Sequence, residues 1–115
     1  MEDLIGDEDD VAIASVTAAE LLVGVDLADA RRRPRRKSFV EAVLSAVPVE
    51  PYDLNVARTH TVLLAHARRS GRPRGAHDLI IAATALSRGR SVISADPAGF
   101  EGLPGLSARF ASPRD

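Results

Sequence analysis

Cysteine is absent from this chain of 115 residues. That excludes disulfide stapling, thiolate metal sites and cysteine nucleophiles together, and it points to an intracellular setting. Aromatic residues make up only 3% and Trp is missing, so Leu, Val, Ile and Ala must build any core. No apolar run approaches the roughly 20 residues a membrane helix needs. The opening Met1–Asp10 is acidic and carries no base, which is wrong for a secretory signal. A net charge of −1 means that bulk electrostatics select no partner. There is no Gly-rich phosphate loop, no G-x-S-x-G elbow and no H-E-x-x-H pair. A soluble cytoplasmic protein is the class these absences leave.

What remains is 45% hydrophobic, the content of one folded domain rather than of a disordered chain. A chain this long buries roughly two-thirds of its unfolded surface. Its bases are clustered. Arg31-Arg-Arg-Pro-Arg-Arg-Lys37 holds six of them and no acid, and Pro34 predicts a helix break before Arg35. Arg68, Arg69, Arg72 and Arg74 form a second basic stretch. Such stretches suit nucleic-acid phosphates, although the first also suits a solvated helix face.

Periodicity predicts alternating strands and helices. Val11–Ser15 reads as a short strand. Thr17 and Glu20 have the spacing of a capping box, so a helix is expected from Ala18 to about Val25. A second helix falls within Asp29–Val47, followed by an extended Val49-Glu50 between Pro48 and Pro51. Leu54–Arg69 is a helix with Val56, Leu63, Leu64 and Ala67 on one face, ended by Ser70-Gly71-Arg72-Pro73. The segment from Ala76 to Gly89 is apolar almost all round and should be a buried helix. Ser91–Ser94 is a strand, Asp96–Pro104 a loop, and a last strand falls within Leu106–Phe110. The alternation predicts an α/β fold around a mainly parallel sheet.

In such a fold, sites form beyond the carboxyl ends of strands. Three acids fall there: Glu20 and Asp78, each expected in the first turn of a helix, and Asp96 after the Ser91–Ser94 strand. Each has an innocent explanation, because helix N-termini favour carboxylates. Together they would repel one another unless a cation neutralised them, and Mg²⁺ or Mn²⁺ suits carboxylate oxygens. Such a metal activates water and stabilises charge on a phosphodiester. His60 and His66 are six apart and do not share a helix face as neighbours. His77, next to Asp78, is expected in a surface or supporting role.

Three segments now carry a family resemblance. Ser15-Val-Thr-Ala-Ala-Glu-Leu-Leu-Val-Gly-Val25 resembles the S-x-x-x-x-E-L-x-x-G segment of PIN-domain proteins, especially the VapC-type toxin ribonucleases. Gly71-Arg-Pro-Arg-Gly-Ala-His-Asp-Leu-Ile-Ile-Ala-Ala-Thr-Ala-Leu86 resembles their block in which an acid precedes L-x-I-A-A-T-A. Ser91-Val-Ile-Ser-Ala-Asp96, Phe100 and Gly102-Leu-Pro-Gly-Leu106 resemble their ending. The order matches and the segments span most of the chain.

The resemblance implies a three-layer α/β/α PIN-like fold with a mainly parallel central sheet, as a single domain over residues 1–115. It implies that Glu20, Asp78 and Asp96 are active-site acids holding Mg²⁺ (or Mn²⁺), with Ser94 as a hydrogen-bonding helper. The implied activity is metal-dependent endoribonuclease cleavage by the toxin half of a toxin–antitoxin pair. The implied partners are RNA, with Arg72 and Arg74 as candidate contacts, an antitoxin protein and a second copy of the chain.

Two departures stand out. PIN domains normally open with an apolar strand ending in an Asp ligand, whereas this chain opens Met1-Glu-Asp-Leu-Ile-Gly-Asp. Asp3, Asp7, Asp9 and Asp10 follow no such strand and do not replace that ligand. The expectation is a central first strand missing through a late start, leaving the domain N-terminally incomplete. The other departure is Gly99, which stands before Phe100 where the family often has an acid. Both departures raise a rival, a degenerate PIN module that binds RNA or an antitoxin without cutting. A different phosphoesterase on a similar scaffold is a third reading.

Overall fold

Gly and Pro punctuation between runs of helical apolar spacing sets most element boundaries. The computed structural model describes residues 11–110. Its elements are β1 (Ile13–Ala14), α1 (Ser15–Leu27), α2 (Arg33–Ala46), β2 (Val49–Glu50), α3 (Leu54–Arg69), α4 (Ala76–Ser87), β3 (Val92–Ser94) and β4 (Ala108–Phe110), with a 3-10 turn at Pro97–Gly99. The described residues divide into two compact units, one of residues 11–51 and one of residues 52–110.

In the first unit β1 pairs parallel with β2, Ile13 opposite Val49 and Ala14 opposite Glu50. Helix α1 begins at Ser15, earlier than the capping box requires, and its N-cap Ala14 makes no side-chain bond. The expected Thr17–Glu20 box is therefore not formed. A capping residue must be extended, and Thr17 is already the third helical residue. Ser15 Oγ instead donates to the Glu50 carbonyl at 2.7 Å, fastening the strand–helix junction to β2.

Helix α2 starts at Arg33 with Pro34 in its first turn. The break thus precedes Arg33 rather than Arg35, because a first-turn proline gives up an N–H that has no helical acceptor anyway. Asp29 Oδ1 accepts the Arg32 N–H at 2.8 Å, and Arg33 Nη2 donates to the Ala28 carbonyl at 2.7 Å. Val25 and Val40 supply the buried side chains of these two helices.

The second unit holds the larger core. Asp53 caps α3 by accepting the Val56 N–H at 3.0 Å. Its other oxygen meets Arg88 Nη2 at 2.9 Å, tying the start of α3 to the residue that ends α4. The Val56 hydrogen bond first, and then Arg88, hold the Asp53 carboxyl below its ordinary value. Val56, Leu63 and Ala67 of α3 pack with Leu79, Ala82, Ala83 and Ala85 of α4, and with Val92, Phe100 and Leu103. Val56 and Leu63 are fully buried, each contributing about 1.5–3 kcal/mol by transfer from water.

The alanines of α4 let it lie close to α3. Buried Thr84 is satisfied by donating to the Ile80 carbonyl at 2.7 Å. β3 pairs parallel with β4, Val92 opposite Ala108. The expected parallel sheet is thus present as two parallel pairs, with no ladder joining them among the described residues. The expected absence of an opening strand falls on residues 1–10 and lies outside the described residues.

Candidate active site

Helix α4 begins after Gly75, whose extended backbone (φ −61°, ψ 139°) turns the chain into the helix without a side-chain cap. Its first turn therefore has exposed N–H groups, and Asp78 is the acid placed there. Asp78 is half-buried, beside fully engaged Leu79. With Gly75, Ala76 and His77 it lines an open depression of about 380 Å³. His77 is exposed and has an interaction of its own.

The loop after β3 closes onto this carboxylate. Gly99, at the end of the 3-10 turn, is buried, and a Cβ on it would stand 2.5 Å from Asp78 Oδ2. A Cβ on Gly75 would stand 3.1 Å from the same oxygen. With Asp78 where it lies, glycine before Phe100 is the residue that fits, and any side chain there would have to displace the carboxylate or the loop. Phe100 and Leu103, both 5% exposed, anchor the loop in the core.

Asp96 heads the same loop. Its Oδ1 accepts the Ala98 N–H at 3.2 Å, and its own N–H donates to Ser94 Oγ at 3.0 Å. Ser94 therefore orders the backbone of Asp96, while Asp96 shapes the turn and remains exposed. Across the loop, Arg74 Nη1 donates to the Ala98 carbonyl at 3.2 Å and Nη2 to the Glu101 carbonyl at 2.5 Å. Gly102, at φ 81°, presents its open side to Arg72 Nη1 and Arg74 Nη2, each 3.7 Å from where a Cβ would be.

Asp78 and Asp96 thus flank one loop of one unit. Glu20 lies on the other unit, exposed, and in the second turn of α1 rather than the first, because the helix starts early. It has an interaction of its own. Among the described residues no group of three His, Cys, Asp or Glu side chains is placed to hold a metal ion. Asp78 and Asp96 belong to the unit of residues 52–110 and Glu20 to that of residues 11–51.

Asp78 and Asp96 are oxygen donors of the type a hard cation takes. Mg²⁺ keeps several waters and is commonly held by one or two protein carboxylates together with substrate phosphates. Of the other histidines, His60 is engaged structurally, Nδ1 lying 2.8 Å from the Tyr52 hydroxyl with the rings edge to face. Gly99 as a steric partner of Asp78 and the Arg74 clip escaped sequence reasoning. The missing acid at position 99 was the signal for the first. Nothing in the spacing of Arg72 and Arg74 signalled the second.

The family model of the PIN domain matches residues 1–105. Over 98 residues the chain is 37% identical to a tRNA(fMet)-specific endonuclease VapC of Shigella flexneri, covering 84% of this chain and 71% of that protein. Among solved structures, VapBC-5 of Mycobacterium tuberculosis is similar with a TM-score of 0.79 at 34% identity, covering 93% of this chain and 91% of that one. VapBC2 of Rickettsia felis, solved bound to a DNA fragment from its promoter, is similar with a TM-score of 0.85, covering 96% and 81%. At 21% identity that last likeness speaks for the fold alone. These likenesses bear out the three-layer α/β/α class with its parallel strands.

Proposed function

The chain belongs to the PIN-domain family, and from that premise we propose that it is a VapC-type endoribonuclease, the toxin of a toxin–antitoxin pair. The observation that carries the proposal is the setting of Asp78. Its half-buried carboxylate opens α4, lines a solvent-reachable depression and is closed in by the loop that Asp96 begins. The resemblance of this chain to proteins named ribonuclease and endonuclease supports the reading. The family match runs across both compact units, which supports one domain over residues 1–115.

Asp78 and Asp96 are the residues that would hold a divalent cation, Mg²⁺ or Mn²⁺. Glu20 joins them as an active-site acid on the strength of its motif. The cation supplies positive charge to a phosphodiester and to the attacking water. The chain's own groups prepare the site. Ser94 fixes the Asp96 backbone, and the first turn of α4 offers N–H groups and a favourable dipole to anionic oxygens. Arg72, exposed beside Gly102, is a candidate contact for RNA phosphates. A cytoplasmic location, an antitoxin partner and pairing with a second copy complete the proposal. Among the described residues no helix is long and apolar enough to cross a membrane.

The test is cleavage of RNA by the purified chain with Mg²⁺, beside Asp78→Asn. The variant should lose about a hundredfold or more in rate, since a metal site contributes several kcal/mol to the barrier. Undiminished cleavage would sink the role of Asp78. The second reading, a PIN module that binds without cutting, is favoured by Gly99, which stands before Phe100 where the family often has an acid. Mg²⁺-independent RNA binding with no cleavage by the parent chain would select it.

A further inference from the structure

The loop after β3 is held from two sides. Phe100 and Leu103 secure it to the core. On the solvent side Asp96, Ala98 and Glu101 are exposed, and Gly102 and Gly105 adopt positive φ, a loose backbone by composition. Arg74, from outside the loop, bonds two of its exposed carbonyls, those of Ala98 and Glu101. Its planar fork spans two acceptors three residues apart, a geometry that an ammonium cannot reproduce.

We infer that Arg74 is a positioning residue, which clips the Ala98 and Glu101 carbonyls and so holds Asp96 and Gly99 in place against the Asp78 carboxylate for cation binding. The inference rests on the metal-nuclease reading above and specifies how its acids are kept in register. Two of the five guanidinium N–H groups are committed to carbonyls, which leaves three for any further contact. At Gly99 the clipped loop comes close to Asp78, since a Cβ there would stand 2.5 Å from Oδ2. Any lift of the loop would change the space above the carboxylate and the direction of Asp96 together.

The experiment compares the full chain with Arg74→Met and Arg74→Lys. Mn²⁺ affinity is read by water-proton relaxation, and RNA cleavage is resolved into kcat and KM at several salt concentrations. Melting temperatures confirm that both variants fold. Expected is a roughly 10- to 100-fold loss of Mn²⁺ affinity in both variants, the range seen when groups that orient metal ligands are removed. The loss should appear in kcat, with KM and its salt dependence unchanged, and lysine should not rescue it.

The inference is overturned if Mn²⁺ affinity is unchanged. It is equally overturned if lysine restores function while methionine raises KM and lowers the salt slope by about one, the signature of a phosphate contact. A parent chain that binds no Mn²⁺ overturns it too. A parent that binds Mn²⁺ without cutting RNA removes the nuclease reading, and the affinity comparison still decides the role of Arg74.

Discussion

Replacing Gly99 by alanine adds one methyl group at the most confined point of the site. The new carbon would stand 2.5 Å from Asp78 Oδ2, 3.0 Å from Cγ and 3.4 Å from Cβ. Real Cβ atoms essentially never come closer than 3.0 Å to such a neighbour, so either the carboxylate or the loop must move. The backbone itself is no obstacle, because Gly99 is not among the positive-φ glycines. Overpacking of this kind costs about 1–3 kcal/mol. A catalytic carboxylate displaced by about 1 Å is enough for a loss near a hundredfold.

Gly89→Ala is the matched control. Position 89 has φ 68° with nothing within 4 Å, so alanine there meets backbone strain of about 1–2 kcal/mol and no neighbour. RNA cleavage, Mn²⁺ affinity and thermal melting measured on both variants separate the two effects. Gly99→Ala should lose cleavage and Mn²⁺ affinity out of proportion to its stability, and Gly89→Ala should lose stability alone. Parent-level cleavage and Mn²⁺ binding by Gly99→Ala would refute the steric coupling of the loop to Asp78.

Two further outcomes follow from the second unit. Ser87 Oγ is buried without a hydrogen-bond partner, so Ser87→Ala should stabilise the chain by about 1 kcal/mol, read as a raised denaturation midpoint. A lowered midpoint would show that the hydroxyl is satisfied in solution. Asp53 has its folded pKa depressed by the Val56 N–H and by Arg88. Its stabilising effect is therefore present above the ordinary value of 3.8 and fades as pH falls through the lower folded value. Asp53→Asn should flatten the acid limb of melting temperature against pH, and an unchanged limb would show that other carboxylates dominate it.

Local chemistry made much of this legible in sequence. The Leu54–Arg69 and Ala76–Ser87 helices followed from their apolar spacing and from glycine stops at Gly71 and Gly89, both with positive φ. Val49-Glu50, isolated between prolines, is the strand β2. Where two local signals competed, the weaker one misled. Thr17–Glu20 has capping-box spacing, yet pairing of Ile13 and Ala14 with β2, together with the Ser15 hydroxyl bond, starts the helix earlier.

The sequence by itself determined the alternation of strands and helices, the acid at the head of a buried helix, and the ordered motifs of the PIN family. These depend on neighbours within a turn or two, where side-chain spacing and backbone preference act directly. The tertiary structure decided what those residues touch. It set one oxygen of the Asp96 carboxylate on its own turn and placed Glu20 in the second turn of α1, where spacing alone puts it in the first. It also brought together residues 21 to 27 positions apart, Gly99 beside Asp78 and Arg74 onto the carbonyls of Ala98 and Glu101. No local preference encodes those meetings, because they arise only when the core anchors Phe100 and Leu103 and the loop has to fit what is left.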